Sequence, residues 1–426
     1  MRLLHTADLH LGKVLEGHSR YEEQCLMLQE ICNIANEHQV DLVLLSGDIF
    51  DVYNPSAESE RLFFNFLKEL AADDARAVVI IAGNHDQPSR LIAAAPLALP
   101  QGIYLVGNPG EMPPADVRKE AGRGQVLSTS SHCLRLFLPR CSHETVVMAV
   151  PYLSQARLQE LFSADITDEK QQALDYEQRL ATLFAEGAQV FNTDTVNIIM
   201  AHLTLAGGKT SDSERPTAGG VMQIGGSFGV GTHILPSAAQ YVALGHLHRP
   251  QEINAAMPCI YAGSPLAYSF SESGQSKSVV IADILPGQEA KVKRILLQSG
   301  YPLLQWQAKD YEEALTWCED EHNQNMWVDL LIQAPEPLSL TQIQALRKAH
   351  SRLVNIQVVL PDMEEGLLEA QELAQLDIAD KFRLFASRIQ GVPIAEELVE
   401  LFLDLLAKGE EDEQSEDTEE IEEVAK

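Results

Sequence analysis

The sequence predicts a layered α/β domain, followed by a small α+β module and C-terminal helices. Short β-branched apolar runs alternate with helical stretches from residue 1 to about residue 284, which is the pattern of repeated βαβ units. Five of the apolar runs pass directly into polar residues. Beyond about residue 285 the spacing of strands and helices changes, so a different folding unit begins there. A chain of 426 residues has room for two or three such domains.

The polar residues that follow the five apolar runs are of the types that bind metal ions. The runs span residues 3–6, 40–46, 77–82, 196–200 and 241–244, and the groups after them are Asp8 and His10, Asp48 and Asp51, Asn84 with His85 and Asp86, His202, and finally His246 and His248. Because α/β sheets carry their chemistry at the carboxyl ends of strands, we expect these side chains to meet. A pair of ions needs one bridging carboxylate and a mixed set of nitrogen and oxygen ligands, which this set supplies.

Each of the five motifs, taken alone, has an ordinary structural explanation. An Asp-x-His pair is common, residues 83–86 could form a turn, and a His-x-His pair could lie on an edge strand. The prediction of a metal centre therefore rests on the five motifs together, each of which follows an apolar strand. His5, inside the first run, is expected to be a histidine of the core.

Two amphipathic stretches predict helices that pack on the sheet. The helix over residues 21–38 places Cys25, Leu28, Cys32 and Ala35 on one face. A second helix, over residues 57–72, has an apolar stripe that leaves Phe64 to one side, next to charged residues. An exposed Phe64 suggests a face for self-association, although single exposed apolar residues are common on any surface.

Two stretches rich in glycine, proline and serine interrupt the regular pattern. Residues 107–143 predict a peripheral hairpin or an insertion. Residues 206–231 follow His202 and carry Lys209 and Arg215, so this loop could close over a phosphate group; a mobile surface loop is an equally good interpretation.

The C-terminal part predicts a small module and then two helices. The module has strands at 301–307, 326–333 and 354–360 and helices at 311–322 and 338–350, with His322 and His350 expected in solvent. Helices at 379–390 and 394–408 follow, and the second is too apolar around Leu401 to stand in water, so it needs a partner surface. The predicted domains are residues 1–285, 286–362 and 363–408, with an acidic tail over 409–426 that is expected to be disordered.

The acidic charge of the chain argues against a protein that binds nucleic acid without a partner. The formal net charge is −31, of which residues 409–426 contribute −9, so −22 remains on the folded part. A protein that binds nucleic acid alone normally presents a basic face. If this chain acts on DNA, divalent cations and a partner must supply much of the positive charge.

Cysteine usage and hydropathy predict a cytoplasmic protein with no membrane segment. The six cysteines show no CxxC spacing, which suits reduced thiols. Residue 2 passes straight into the first strand, so no signal peptide is expected, and no apolar run reaches the length of a membrane span.

The five motifs together resemble those of the calcineurin-like metallophosphoesterases. The matching segments are Leu-Leu-His-Thr-Ala-Asp-Leu-His-Leu-Gly at 3–12, Gly-Asp-Ile-Phe-Asp at 47–51, Gly-Asn-His-Asp at 83–86, Ala-Leu-Gly-His-Leu-His-Arg-Pro at 243–250 and Tyr-Ala-Gly-Ser-Pro at 261–265. Within that superfamily the chain is similar to the nuclease subunits of ATP-regulated bacterial DNA-processing complexes. The resemblance implies a four-layer α/β/β/α sandwich, a small α+β capping domain that helps orient DNA, and C-terminal helices.

The resemblance also implies a role for each motif residue. One metal ion would be held by Asp8, His10, Asp48 and His248, and the other by Asp48, Asn84, His202 and His246, so that Asp48 bridges. The ions would be divalent, with manganese implied by the family and iron or zinc compatible with the ligands. His85 would face the scissile phosphate and donate a proton to the leaving oxygen, and Asp51 would orient Asp48.

The implied function is that of a metal-dependent DNA nuclease in repair, recombination and replication. It would be an exonuclease on double-stranded ends and an endonuclease on single-stranded or hairpin DNA, in a heterotetramer with two copies of a coiled-coil ATPase that docks on the C-terminal helices. Homodimerisation through the helices near Phe64 and Ala93 is implied as well.

Two alternatives use the same residues. One is a phosphatase or phosphodiesterase of the same superfamily with a small substrate, although Val52 and Tyr53 stand where phosphoprotein phosphatases carry an arginine. The other is a metal-stabilised scaffold without catalysis. The complete ligand set and His85 favour an enzyme over a scaffold.

Overall fold

Two large β-sheets form the frame of the N-terminal region. The structure is a computed structural model that describes residues 1–72, 75–115, 125–130, 132–153, 169–211, 223–224, 227–359, 379–383, 398–399 and 401–402. The strands of these ranges are β1 (Arg2–Thr6), β2 (Val14–Leu15), β3 (His18–Ser19), β4 (Leu42–Ser46), β5 (Ala77–Ile81), β6 (Ile103–Val106), β7 (Gln125–Thr129), β8 (Cys133–Phe137), β9 (Glu144–Val150), β10 (Val196–His202), β11 (Gln223–Ile224), β12 (Ser227–Phe228), β13 (Tyr241–Gly245), β14 (Gln251–Ile253), β15 (Cys259–Tyr261), β16 (Ser278–Asp283), β17 (Lys291–Leu296), β18 (Leu303–Ala308), β19 (Trp327–Gln333) and β20 (Leu353–Val359). The α-helices are α1 (Tyr21–Glu37), α2 (Ala57–Ala71), α3 (Pro88–Leu91), α4 (Ala95–Ala98), α5 (Glu169–Gly187), α6 (Tyr311–Glu319) and α7 (Leu340–Ala349).

The first sheet has six strands in the order β17-β16-β1-β4-β5-β6. Strands β1, β4, β5 and β6 are parallel, whereas β16 pairs antiparallel with β1 and β17 pairs antiparallel with β16. The predicted domain boundary at residue 285 falls before β17. The first sheet therefore extends past that boundary, because Lys291–Leu296 completes its edge by pairing with β16.

The second sheet has seven strands in the order β14-β15-β13-β10-β9-β8-β7. Its centre is parallel, and β8 and β7 add an antiparallel edge next to β9. These two edge strands come from residues 107–143, so the predicted hairpin is confirmed. They are not an insertion outside the fold, because Val126, Leu134 and Leu136 are buried between the sheets.

Three apolar cores separate four layers. One core joins α1 and α2 to the outer face of the first sheet through residues such as Leu28, Phe63 and Phe66. The middle core lies between the sheets, and the third joins α5 to the outer face of the second sheet through Tyr176 and Phe184. The predicted α/β/β/α sandwich is confirmed. Both central sheets are covered on two faces, which explains the near-continuous apolar runs of their strands.

The small module consists of the sheet β18-β19-β20 with α6 and α7, as the sequence pattern predicts. Ser339 caps α7 with a capping box, and Asp310 caps α6. His322 is exposed, as expected. The expectation for His350 is wrong: its ring stacks on Trp317 and its Nε2 lies 2.9 Å from the carbonyl oxygen of Asn323, so it is buried.

A separate unit comprises residues 333–337 and 359–426. Of the two predicted C-terminal helices, the structure describes residues 379–383, 398–399 and 401–402, all helical, and the ring of Phe382 stacks on that of Phe402 at 3.9 Å. Leu398 and Leu401 are exposed. The rest of both predicted helices and the acidic tail lie outside the described residues, as does half of the 206–231 loop. Within the described part of the chain, no helix is both long enough and apolar enough to span a membrane.

Candidate metal centre

The ends of five strands meet at one place, as the sequence predicts. Strands β1, β4 and β5 arrive from the first sheet, and β10 and β13 arrive from the second. Hydrogen bonds fasten these ends to one another. The amide of His246 donates to Asp8 Oδ1 at 2.9 Å, the amide of His10 donates to the carbonyl of Asp48 at 3.0 Å, and His202 Nδ1 lies 2.8 Å from the carbonyl oxygen of Ser46.

Two clusters of potential ligands share the carboxylate of Asp48. One cluster contains Asp8, His10 and Asp48, and the other contains Asp48, His202 and His246; within each cluster the ligand atoms lie within 4.8 Å of one another. Asp48 Oδ2 is 3.5 Å from His10 Nε2 and also 3.5 Å from His202 Nε2. The same carboxylate oxygen therefore faces both clusters, which is the geometry expected of a bridging ligand.

The remaining two predicted ligands lie on opposite sides of this pair. Asn84 Oδ1 is 3.0 Å from His202 Nε2 and 2.9 Å from His246 Nδ1. His248 Nε2 is 3.0 Å from His10 Nε2. All seven residues predicted as ligands thus lie in one centre, and the assignment of each to one ion stays a prediction.

The donor set fits a pair of divalent cations. His202 Nδ1 faces the carbonyl oxygen of Ser46 at 2.8 Å, so the lone pair of the ring lies on Nε2, which faces Asn84 Oδ1 at 3.0 Å. Two acceptor atoms this close to each other are the arrangement that a shared cation satisfies. The 3.0 Å separation of the His10 and His248 nitrogens is that of two neighbouring ligand atoms, each about 2.1 Å from one ion. Imidazole nitrogen, carboxylate oxygen and one amide oxygen are a mixture suited to manganese, iron or zinc.

Burial prepares the imidazoles to bind metal. It lowers the pKa of His10 to about 4 and that of His246 to about 3, and it also lowers the pKa of His202. Burial alone would raise the pKa of the Asp48 carboxyl, but the nearby His202 and His10 outweigh it and hold that pKa below its usual range. At neutral pH the rings thus present lone pairs and Asp48 presents a negative charge.

Four of the candidate ligands occupy backbone conformations that residues other than glycine rarely adopt. The φ angles of Asp8, His10, Asp48 and His246 are 56°, 43°, 51° and 98°. A left-handed residue other than glycine costs on the order of 1–3 kcal/mol, and such residues cluster at functional sites. The interlocking hydrogen bonds between strand ends compensate for this strain and fix the direction of each side chain.

Asp86 is a motif residue to which the family resemblance assigns no individual role. Its carboxylate is buried and accepts hydrogen bonds from three backbone amides, those of Gly83, Ile49 and Phe50, at 2.9 to 3.1 Å. It therefore ties the loop after β4 to the loop after β5. Burial and the negative charge of Asp48 raise the pKa of Asp86 to about 7, against the effect of the three amides.

His85 and Asp51 lie at the edge of the centre, and the contacts of Asp51 differ from those predicted. His85 is half-buried, its amide donates to Asp48 Oδ1 at 2.9 Å, and its Nδ1 lies 2.7 Å from the carbonyl oxygen of Asp51. The Asp51 carboxylate contacts Lys13 Nζ at 2.8 Å and His10 Nδ1 at 3.4 Å. Asp51 therefore orients His10 and His85, whereas the amide of His85 orients Asp48.

Comparisons with known proteins agree with this geometry. The sequence profile of the family described as calcineurin-like phosphoesterase matches residues 1–250. A Bacillus subtilis (strain 168) protein, named as the SbcD subunit of nuclease SbcCD, is 41% identical over 415 residues, which are 97% of this chain and 99% of that protein. The chain belongs to the SbcD family of calcineurin-like phosphoesterases. Two further proteins carry the same name. The one from Rhodobacter capsulatus is 33% identical over 72% of each chain. The one from Staphylococcus epidermidis is 30% identical over 67% of this chain and 66% of that protein.

SbcD-family membership and the two ligand clusters together indicate that this centre holds divalent metal ions. Where they bind, His10, Asp8 and His248 would surround one position and His202, His246 and Asn84 the other, with Asp48 between them.

Gly83 is required beside Asp48 because a side chain there would strike the shared carboxylate. A Cβ at Gly83 would lie 2.1 Å from Asp48 Oδ1 and 2.3 Å from the Asp48 amide. We expect Gly83→Ala to displace Asp48 and to weaken manganese binding at least about 10-fold, measured by calorimetric titration. Gly17→Ala is the control, since Gly17 has a positive φ but nothing within 4 Å of its Cβ position. Equal manganese affinity in both variants would contradict this role of Gly83.

Proposed function

We propose that this chain is the metal-dependent nuclease subunit of an SbcCD complex and hydrolyses phosphodiester bonds of DNA. The observation that carries the proposal is the pair of ligand clusters that share Asp48 Oδ2, with His85 beside them. The names of the relatives supply the substrate class and the complex.

The ions are proposed to be manganese. When bound, two divalent ions supply Lewis-acid chemistry, because they lower the pKa of a water molecule and neutralise charge on phosphoryl oxygens. The chain's own residues then have two tasks. Asp48 and the buried imidazoles fix the positions of the ions, and the loops after β4 and β5 place His85 next to the phosphate.

His85 is proposed as the proton donor to the leaving oxygen. Its Nδ1 faces the carbonyl oxygen of Asp51 at 2.7 Å, which can only accept, so this nitrogen carries hydrogen and the other ring nitrogen is directed elsewhere. In the imidazolium form Nε2 also carries a hydrogen, and this is the proton that would pass to the leaving oxygen. The carboxylate of Asp51 pairs with Lys13 and His10, and so holds the loop that carries the Asp51 carbonyl.

The proposed substrates are double-stranded DNA ends, for exonuclease action, and single-stranded or hairpin DNA, for endonuclease action. The test compares cleavage of an end-labelled duplex and of a hairpin with hydrolysis of bis(4-nitrophenyl) phosphate, each with manganese and with a chelator. Manganese-dependent cleavage of DNA is the expected result. Hydrolysis of the aryl ester without any cleavage of DNA would favour a phosphodiesterase of small substrates, and no hydrolysis of either would favour a scaffold.

The proposed partner is SbcC, a coiled-coil ATPase, in a complex of two SbcC and two SbcD chains. SbcC would bind the C-terminal helices, where Leu398 and Leu401 are exposed. Self-association of the nuclease domains is proposed through the surface near Phe64 and Ala93, where Phe64 is 41% and Leu97 is 80% exposed. The α+β module is proposed to help orient DNA.

Removal of the C-terminal helices is expected to abolish the complex and leave hydrolysis intact. A chain that ends at Asp362 should no longer co-purify with SbcC, because the proposed docking helices are missing, yet it should keep manganese-dependent activity on short DNA. A chain that ends at Lys408 is the matched control, since it lacks only the acidic tail, and it should still bind SbcC. Complex formation by the chain that ends at Asp362 would refute the docking site.

A further inference from the structure

The imidazole of His248 lies between the metal centre and a buried carboxylate to which the metal chemistry assigns no role. His248 Nε2 faces His10 Nε2 at 3.0 Å, on the side of the centre. His248 Nδ1 faces Glu272 Oε1 at 3.4 Å, on the opposite side of the ring. His248 and Glu272 are 5% and 1% exposed, so this contact is shielded from solvent. An ionised carboxylate can only accept a hydrogen bond, hence the hydrogen of the ring lies on Nδ1 and the lone pair on Nε2.

The carboxylate of Glu272 is held in place by a buried lysine. Lys277 Nζ pairs with Glu272 Oε2, donates to the carbonyl oxygen of His248 at 3.0 Å and donates to Ser264 Oγ at 2.9 Å. These three acceptors use the three hydrogens of the ammonium group. Lys277 therefore fixes Glu272 and the backbone of His248 at the same time.

The segment that carries Glu272 is also supported by the α+β module. Phe270, two residues before Glu272, packs in a core cluster with Leu303, Trp327 and Val354 of the module. Ser273 Oγ donates to the carbonyl oxygen of Leu303 at 2.6 Å. Glu272 thus lies in a short segment that touches His248 on one side and the module on the other.

We propose that Glu272 is a positioning residue that fixes the tautomer and orientation of His248, with Lys277 and the α+β module as its supports. Carboxylates that accept from the far nitrogen of a metal-binding histidine raise its basicity and direct its lone pair, and their loss weakens metal binding about 10- to 100-fold. This proposal rests on the metal centre of the proposed function and adds residues that neither the motifs nor the ligand clusters include.

The test compares two double variants of the full chain that differ only in the acceptor offered to His248. Glu272→Met with Lys277→Met removes the ion pair and the acceptor. Glu272→Gln with Lys277→Met also removes the ion pair, but leaves an amide oxygen near Nδ1. In both double variants the two substituted side chains are uncharged, so neither variant leaves a single buried charge without its partner. Glu289→Gln, at an exposed position, is the surface control.

Manganese binding is measured by calorimetric titration and by electron paramagnetic resonance of the free ion. We expect two sites in the wild type, in Glu289→Gln and in the glutamine pair, and a loss of about 10- to 100-fold in affinity at one site in the methionine pair. Equal affinities in the methionine and glutamine pairs would overturn the proposal. Thermal unfolding without metal establishes that each variant is folded. If the methionine pair does not fold, Glu272→Gln and Glu272→Ala make the same comparison, since they share charge and differ in the acceptor.

The titration separates this proposal from the proposed nuclease function, because it requires no DNA. A wild-type chain that binds manganese but cleaves no DNA would refute the nuclease and leave the role of Glu272 to be decided by the variants. Normal cleavage of DNA together with unchanged binding in the methionine pair would refute only the role of Glu272.

Discussion

Replacing Asp48 with alanine is expected to abolish binding of both metal ions and, with it, all measurable hydrolysis. Asp48 Oδ2 faces both clusters, at 3.5 Å from His10 and from His202, so one substitution removes a ligand from each ion. It also removes the negative charge that separates two cations, and their mutual repulsion then opposes a second ion. Metal content after gel filtration, measured by mass spectrometry, should fall from two ions per chain to none.

The matched control for Asp48→Ala is Asp194→Ala, an exposed aspartate in the loop before β10. This variant should retain two ions and the wild-type rate. A folded Asp48→Ala protein that still binds two manganese ions would show that Asp48 is not the bridging ligand. Circular dichroism without metal distinguishes a loss of ligand from a loss of fold.

Replacing His85 with alanine is expected to preserve both ions and to reduce cleavage of DNA about 100- to 10,000-fold. His85 contacts Asp48 through its backbone amide, which alanine keeps, so the shared carboxylate stays in position. What is lost is the imidazole, which is proposed to donate a proton to the leaving oxygen. The measurement is the single-turnover rate on duplex DNA with saturating manganese, together with metal content.

The leaving group provides a sharp control for His85. The nitrophenolate of bis(4-nitrophenyl) phosphate leaves without protonation, so His85→Ala should slow its hydrolysis far less than it slows cleavage of DNA. Equal losses on both substrates would indicate that His85 binds the phosphate and does not act as an acid. An undiminished rate on DNA would exclude His85 from the reaction.

The strands and the candidate ligands could be predicted from the sequence because each buried apolar run is followed directly by a polar residue of metal-binding type. Strands β4 and β5 are buried on both faces and therefore read as unbroken apolar runs, and the first polar residue after each run marks the carboxyl end of a strand. The small module was predictable for a similar reason, since its caps and periodic helices are local. Residue types and strand ends thus sufficed to place Asp48 and His202 in one centre.

What the sequence could not supply depends on contacts between distant segments. Asp86 and Glu272 act through hydrogen bonds to residues in other loops, and a single carboxylate in a sequence does not reveal its partner. The left-handed backbone of Asp48, with a φ angle of 51°, is likewise not indicated by its residue type. The sequence places His350 in solvent because nothing local indicates that Trp317 covers it.

The candidate ligands of the centre come from both sheets, with Asp48 at the end of β4 in one sheet and His202 and His246 at the ends of β10 and β13 in the other. The binding energy of the metal ions is therefore gained only while the two sheets are packed together. Bound ions would stabilise the contact between the sheets across the middle core. A ligand at a hundred times its dissociation constant stabilises a folded state by about 2.7 kcal/mol. We therefore expect the free energy of unfolding to rise with the concentration of free metal ion.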